Sequence, residues 1–175
     1  MRRSVVLSGV AASLVLSACG KPAPPPTDAA LIATFGAHRA EFQAVVTEFE
    51  QAPGLQSVTL TDAGGKPRPP KALPAGADPV QAERLAGALR AIRAKSAAAG
   101  SVSPDPGASL AVRFAYLSPK RWGSKAVKGI VYDRTASPQD RVPDTDAFAR
   151  RGEKAKYLYV ERQIEGDWYI YQWLD

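Results

Sequence analysis

The sequence predicts an α+β domain in which two helices pack on one face of an antiparallel sheet of four or five strands. Three observations carry that expectation. Apolar residues at Leu31, Phe35, Phe42, Val45, Val46 and Phe49, and again at Val80, Leu85, Leu89 and Ile92, recur at three- and four-residue intervals, the spacing that lines one side of a helix. Leu110, Val112, Phe114 and Tyr116 alternate with Ala111, Arg113 and Ala115, the two-residue period of a half-buried strand. The chain then closes on two stretches rich in β-branched and aromatic residues, Tyr157 to Ile164 and Trp168 to Leu174, with Glu165-Gly166-Asp167 between them for a tight turn.

Taken in order, residues 1–18 read as a removable signal. Arg2 and Arg3 supply a positive start, and Val5 to Leu16 form an apolar run within the about 7–15 residues such signals use. The run is shorter than the about 20 residues of a spanning helix, and Lys21 and a proline cluster follow it. Residues 19–27, with Pro22, Pro24, Pro25 and Pro26, read as an extended tether, because proline fixes the backbone in an open form. A single domain is expected over residues 28–175. One long helix should run from Asp28 to about Gln51, capped by Thr27 and closed by Pro53-Gly54.

Leu55 to Leu60 suits a short strand, and 63–77, dense in glycine, proline and lysine, an exposed loop. Asp78-Pro79 places a capping residue before proline at the first helical position, and the second helix follows. Gly100 to Gly107 separates this half from the strands. A further strand is expected from Ala126 to Tyr132, then a polar loop from Ser137 to Asp146. In the last strand Trp168, Ile170 and Leu174 face one way and Tyr169, Tyr171 and Trp173 the other. One side should meet the helices and the other a loop, the curve of the sheet or a partner.

Leu16-Ser17-Ala18-Cys19 resembles the lipobox of bacterial lipoproteins. The resemblance implies cleavage before Cys19, diacylglycerol on its thiol and acylation of the new amine, including palmitate-type chains. Each buried methylene contributes about 0.8 kcal/mol, so two or three chains anchor firmly. The residue after Cys19 is Gly20 rather than the aspartate that, in lipoproteins of this kind, retains the protein in the inner membrane. The implied location is the cell envelope and, in a Gram-negative host, the periplasmic face of the outer membrane. Loss of residues 1–18 leaves 157 of the 175 residues and takes the formal charge from +6 to +4, since Arg2 and Arg3 go with them. Such a bias suits acidic partners or lipid phosphates without specifying one. Nucleic acid is not an expected partner there. With Cys19 lipidated, no thiol remains for a disulfide, a metal or a nucleophile.

The order of parts and the local text also resemble a group of small uncharacterised bacterial lipoproteins. The matching residues are Phe35, His38, Arg39, Phe42 and Phe49 in the first helix, Lys128, Gly129 and Tyr132 in the sheet, and Tyr159, Ile164, Gly166, Trp168, Tyr169 and Tyr171 at the end. The chain departs from that pattern at Ser124-Lys125-Ala126-Val127. The resemblance implies envelope location and fold and brings no activity.

Reactive groups are sparse. His38 lies in the apolar stripe of the first helix and reads as a partly buried histidine bonded to the sheet. With no second histidine and no spare cysteine, a histidine-based zinc site lacks ligands, and no serine sits in a Gly-x-Ser-x-Gly elbow. Asp140, Asp144, Asp146, and Glu161 with Asp167, offer carboxylate pairs for a glycosidase, yet nothing selects two of them; they read as turn residues. Asp144 and Asp146 lack the glycine and glutamate of a helix-loop-helix calcium site. No cofactor and no metal are expected.

Ser118 to Lys125 joins two strands and holds Lys120, Arg121, Trp122 and Lys125, cations around an aromatic residue of the kind that dominates binding surfaces. These four are the candidate partner-binding residues, weighed against a solvated hairpin loop. Arg150, Arg151, Lys154 and Lys156 form a second basic run, suited to lipid headgroups or simply solvated. Tyr157, Tyr159, Tyr169, Tyr171, Trp168 and Trp173 read as sheet packing first and as a ligand platform second. The expectation is a non-enzymatic envelope lipoprotein that binds a protein or an envelope component. The alternatives are an inhibitor or immunity protein against an envelope-degrading enzyme, an envelope hydrolase, and a structural assembly factor.

Overall fold

Thr27 caps the first helix as its place in the sequence suggests, its hydroxyl oxygen accepting the Ala30 N–H at 3.2 Å. Helix α1 then runs Asp28–Ala37, and the expected single helix proves to be two, with α2 at Arg39–Gln51. His38 departs from helical geometry at φ −131° and ψ 28°. The His38 N–H donates to the carbonyls of Thr34 and Phe35, and its own carbonyl accepts from Phe42. Leu31 and Phe35 of α1 and Phe42, Val45, Val46 and Phe49 of α2 all reach one core. The computed structural model describes residues 25–52, 54–61, 66–101, 110–116, 127–150 and 158–174.

Helix α3, Pro79–Ala91, starts where Asp78 accepts the Val80 N–H at 2.9 Å. Leu85, Leu89 and Ile92 are buried as expected, but Val80 is 67 % exposed. At 3.6 residues per turn, Val80 lies about 140° around the helix from Leu85, outside the stripe it was expected to join. Ala82 and Ala86 take the buried positions instead.

The fold is α+β with one antiparallel sheet, and the sheet has seven strands rather than four or five, in the order β2-β1-β3-β4-β5-β7-β6. The strands are β1 Ser57–Thr59, β2 Lys71–Leu73, β3 Ser96–Ser101, β4 Leu110–Ala115, β5 Val127–Asp133, β6 Leu158–Glu165 and β7 Trp168–Leu174. The two additional strands are β2, inside the segment read as a loop, and β3, whose Ser-Ala-Ala-Ala-Gly-Ser text has little intrinsic preference for a strand. Pairing decides the matter for β3, since it is bonded on one side to β1 and on the other to β4, with Ala97 opposite both Val58 and Phe114. A short helix α4, Thr145–Arg150, follows a 3-10 turn at Pro138–Asp140, overlapping the polar loop expected there. No helix among the described residues is long and apolar enough to cross a membrane.

Helices α1 to α3 cover one face of the sheet. Its centre is Trp168, whose ring lies 5.1 Å from Phe35, 5.8 Å from Phe42 and 5.0 Å from Tyr132, centroid to centroid. Ile130, Val112, Phe114 and Ile170 complete this side. Gly166 takes φ +49° in the hairpin turn, the left-handed conformation that glycine adopts without a Cβ penalty. Ala111, Val131, Tyr169 and Tyr171 form a separate buried cluster on the far face, matching the division of the last strand expected from its alternation.

Candidate functional site

Strand alternation sends Ser96 and Ala98 of β3, Arg113 and Ala115 of β4, Val127 of β5, Tyr171 and Trp173 of β7 and Tyr159 of β6 to the far face. They line a cavity of about 430 Å³ open to solvent. The shape follows from side-chain size. Short residues on β3 and β4 make a low floor, and rings on β7 and β6 make a wall. Tyr159 and Tyr171 stack at 6.3 Å with planes 24° apart, and Trp173 is 40 % exposed at the end of the wall.

Gly129 is part of this construction. A Cβ there would stand 1.9 Å from the Phe114 carbonyl oxygen and 2.9 Å from Cε1 of Tyr171, so the absent side chain is what lets the tyrosine ring lie down on β5. Register puts the two opposite one another, Gly129 facing Tyr171 and, on its other side, Ala115.

Polar chemistry enters through one connected set. The Tyr159 hydroxyl donates to Oε1 of Glu161, and the positive charge of Arg113 acts on both groups. Glu161 is 1 % exposed, and its Oε2 has no hydrogen-bond partner among the described residues. Burial pushes its carboxyl above the ordinary glutamate range. The Tyr159 hydrogen bond opposes this, the negative charges of Asp133 and Asp140 add to it, and Arg113 pulls the other way. Burial likewise raises the phenols of Tyr159 and Tyr171, so both stay protonated donors. Further along the face, Arg141 donates to the Tyr169 hydroxyl at 3.2 Å and lies over its ring.

A second polar cluster lies on the helix side. Asp28, at the start of α1, accepts from Lys128 Nζ at 2.7 Å, from the Thr145 N–H at 2.9 Å, from the Thr145 hydroxyl and from Arg162 at 3.1 Å. Asp146 also pairs with Lys128 and accepts the Asp28 N–H at 2.8 Å. Burial acts to raise the Asp28 carboxyl, yet Lys128, Thr145 and Arg162 together hold it below the usual aspartate range. Asp28, Asp144 and Asp146 are close enough to share a cation, but Lys128 and Arg162 already supply positive charge there. The cluster fastens α1 and α4 to β5 and β6.

Of the residues singled out from sequence, Tyr159, Tyr171 and Trp173 come together in the cavity wall, while Trp168 belongs to the core and Tyr169 to the Arg141 contact. Glu161 and Asp167 are not brought together, since Glu161 is buried and Asp167 is exposed in the hairpin turn. His38 pairs with Glu41 at 3.3 Å rather than with the sheet, because the bend at that residue leaves its ring half-exposed beside α2. Arg150 is exposed at the end of α4. Cys19, Lys120, Arg121, Trp122, Lys125, Arg151, Lys154, Lys156 and Tyr157 lie outside the described residues. Arg113 was missed as a site residue; its signal was an arginine on the alanine side of an otherwise apolar strand. Compared with protein families, with curated proteins and with solved structures, the chain finds no match.

Proposed function

We propose that the protein is a non-enzymatic lipoprotein of the cell envelope, anchored through Cys19 at the periplasmic face of the outer membrane, and that the far face of its sheet binds another protein or an envelope component. The observation that carries this reading is the open, aromatic-walled cavity around Arg113, Tyr159, Tyr171 and Trp173. A buried and a half-buried tyrosine ring with one exposed tryptophan beside a guanidinium are what binding surfaces use as anchors. The basic run Lys120, Arg121, Trp122 and Lys125 lies in sequence between Ala115 and Val127, two residues of the cavity lining.

A binding role is favoured over a hydrolase by what faces the cavity. Among the described residues, Glu161 is the carboxyl shifted toward an acid that could donate a proton, and it is not part of the lining. Catalysis would need such a group within reach of a bound substrate.

The reading is tested by placing a photoreactive residue at position 173, and for comparison at exposed position 80 on α3, and crosslinking in living cells. Adducts at 173, absent at 80 and lost when Cys19→Ala removes the anchor, are the expected result. Equal labelling at both positions, or none at 173 across growth conditions, overturns it. An adduct with an envelope-degrading enzyme would assign the inhibitor role.

A further inference from the structure

We propose that the far-face cavity binds an amphiphile consisting of an alkyl chain with one carboxylate, its head on Arg113 and its chain along the trough between the small-residue floor and the Tyr171–Trp173 wall. This deepens the binding reading above and rests on it for the choice of face.

Size and shape bound the ligand first. About 430 Å³ falls in the range of small-molecule sites rather than of protein grooves. The lining comes from β3, β4, β5, β7 and β6, five neighbouring strands. The opening therefore runs across the strands, over inter-strand steps of about 4.8 Å each, which suits an extended chain better than a compact ring.

Chemistry then narrows the class. Ala98, Ala115, Val127 and the ring faces of Tyr171 and Trp173 offer apolar contact, and the surface that the lining exposes is mostly apolar. A sugar or a peptide backbone would leave most of its polar groups unmatched there, at a cost an alkyl chain does not incur. Among the described residues, Arg113 is the charged member of the lining, and no carboxylate lines the cavity with it. The positive charge of Arg113 acts on the Tyr159 phenol and on the buried Glu161 to which that phenol donates. A guanidinium presents its N–H groups as a planar fork matched to a carboxylate. Charge complementarity thus selects an anion over a neutral or cationic head.

The experiment titrates octanoate, octan-1-ol and octylammonium into the full chain carrying Cys19→Ala, which has no acyl group to compete, and follows the Arg113 side-chain N–H and the Trp173 indole N–H by NMR. Octanoate is expected to shift both signals and to bind about tenfold more tightly than octan-1-ol, the margin of a charge-assisted hydrogen bond. Arg113→Gln should erase that margin, so that octanoate and octan-1-ol bind alike. Trp173→Ala, at an exposed position, should weaken both ligands and retain the fold. Equal binding of octanoate and octan-1-ol, equal binding of octylammonium, or shifts that leave both reporter signals still would each overturn the proposal. Crosslinking at position 173 together with any of those results would leave the far face as a binding surface and remove the carboxylate amphiphile as its ligand.

Discussion

Lys128 Nζ lies 2.7 Å from Oδ1 of Asp28, and the two residues are 1 % and 2 % exposed. The pair joins the first residue of α1 to the centre of the sheet. Taking one member away leaves the other charge desolvated, which costs about 3–5 kcal/mol for a buried pair. Asp28→Ala also strips Thr145 and Arg162 of their acceptor, so it should lose about that much in urea unfolding. Asp146→Ala, at a partly exposed carboxylate, should lose less. Equal losses would show that Asp28 is not the centre of the cluster.

Two carboxyls titrate in opposite senses. Asp28 has a folded-state pKa below its unfolded value of 3.8, so its stabilising contribution is complete above that pH and is lost as pH falls through the folded value. Glu161 has a folded-state pKa raised above 4.5, so it binds its proton more tightly when folded and costs stability as pH rises from there through the folded value. These two groups place their combined optimum in mild acid, near the ordinary carboxylate range. Glu161→Gln keeps an acceptor for the Tyr159 hydroxyl and removes the buried charge. It should raise the melting temperature at pH 7 and leave it nearly unchanged at pH 4. A lower melting temperature at pH 7 would show that the ionised carboxylate is satisfied in the fold.

The parts of this fold legible in the sequence are those where local pattern and burial agree. Thr27 and Asp78 cap helices because short polar side chains reach the first free N–H groups. Trp168 and Tyr169 face opposite sides because strands alternate. The parts not legible depend on partners distant in the chain. The run from Ser96 to Ser101 is a central strand only because β1 and β4 flank it. The bend at His38 leaves no trace in the periodicity, since Phe35 and Phe42 are two turns apart on an unbroken helix as well. The cavity was half legible. Its rings stood out in the last hairpin, whereas its floor of Ser96, Ala98 and Ala115 and its charge at Arg113 became a site only once the strands were side by side.

Trp168 and Trp173 belong to one strand and should behave as opposites. Trp168 is packed among Phe35, Phe42, Phe114 and Tyr132, so Trp168→Ala should cost about 3–5 kcal/mol, as large aromatic truncations in cores do. Trp173 is 40 % exposed on the far face, and Trp173→Ala should cost about 0.5 kcal/mol. Urea unfolding of both variants checks the assignment of faces. Similar losses would mean that the tryptophan at the cavity rim is structural.

Gly129 has the sharpest steric requirement in the sheet. In Gly129→Ala the new carbon meets the Phe114 carbonyl oxygen at 1.9 Å, a backbone atom held in the β4–β5 ladder, and also the Tyr171 ring at 2.9 Å. The ring can rotate away; the carbonyl can move only by opening the pairing of Phe114 with Ile130 and of Ala115 with Gly129. Overpacking costs about 1–3 kcal/mol where side chains can yield, and this contact with backbone belongs at about 3 kcal/mol. The same substitution should lift Tyr171 from β5 and deform the cavity wall, so amphiphile binding should fall even in the folded fraction. Hydrogen exchange separates the two effects. Lost protection confined to the β4–β5 pairs together with weakened octanoate binding is the expected pattern, and full protection at those pairs would show that the strands accommodate a methyl group at Gly129.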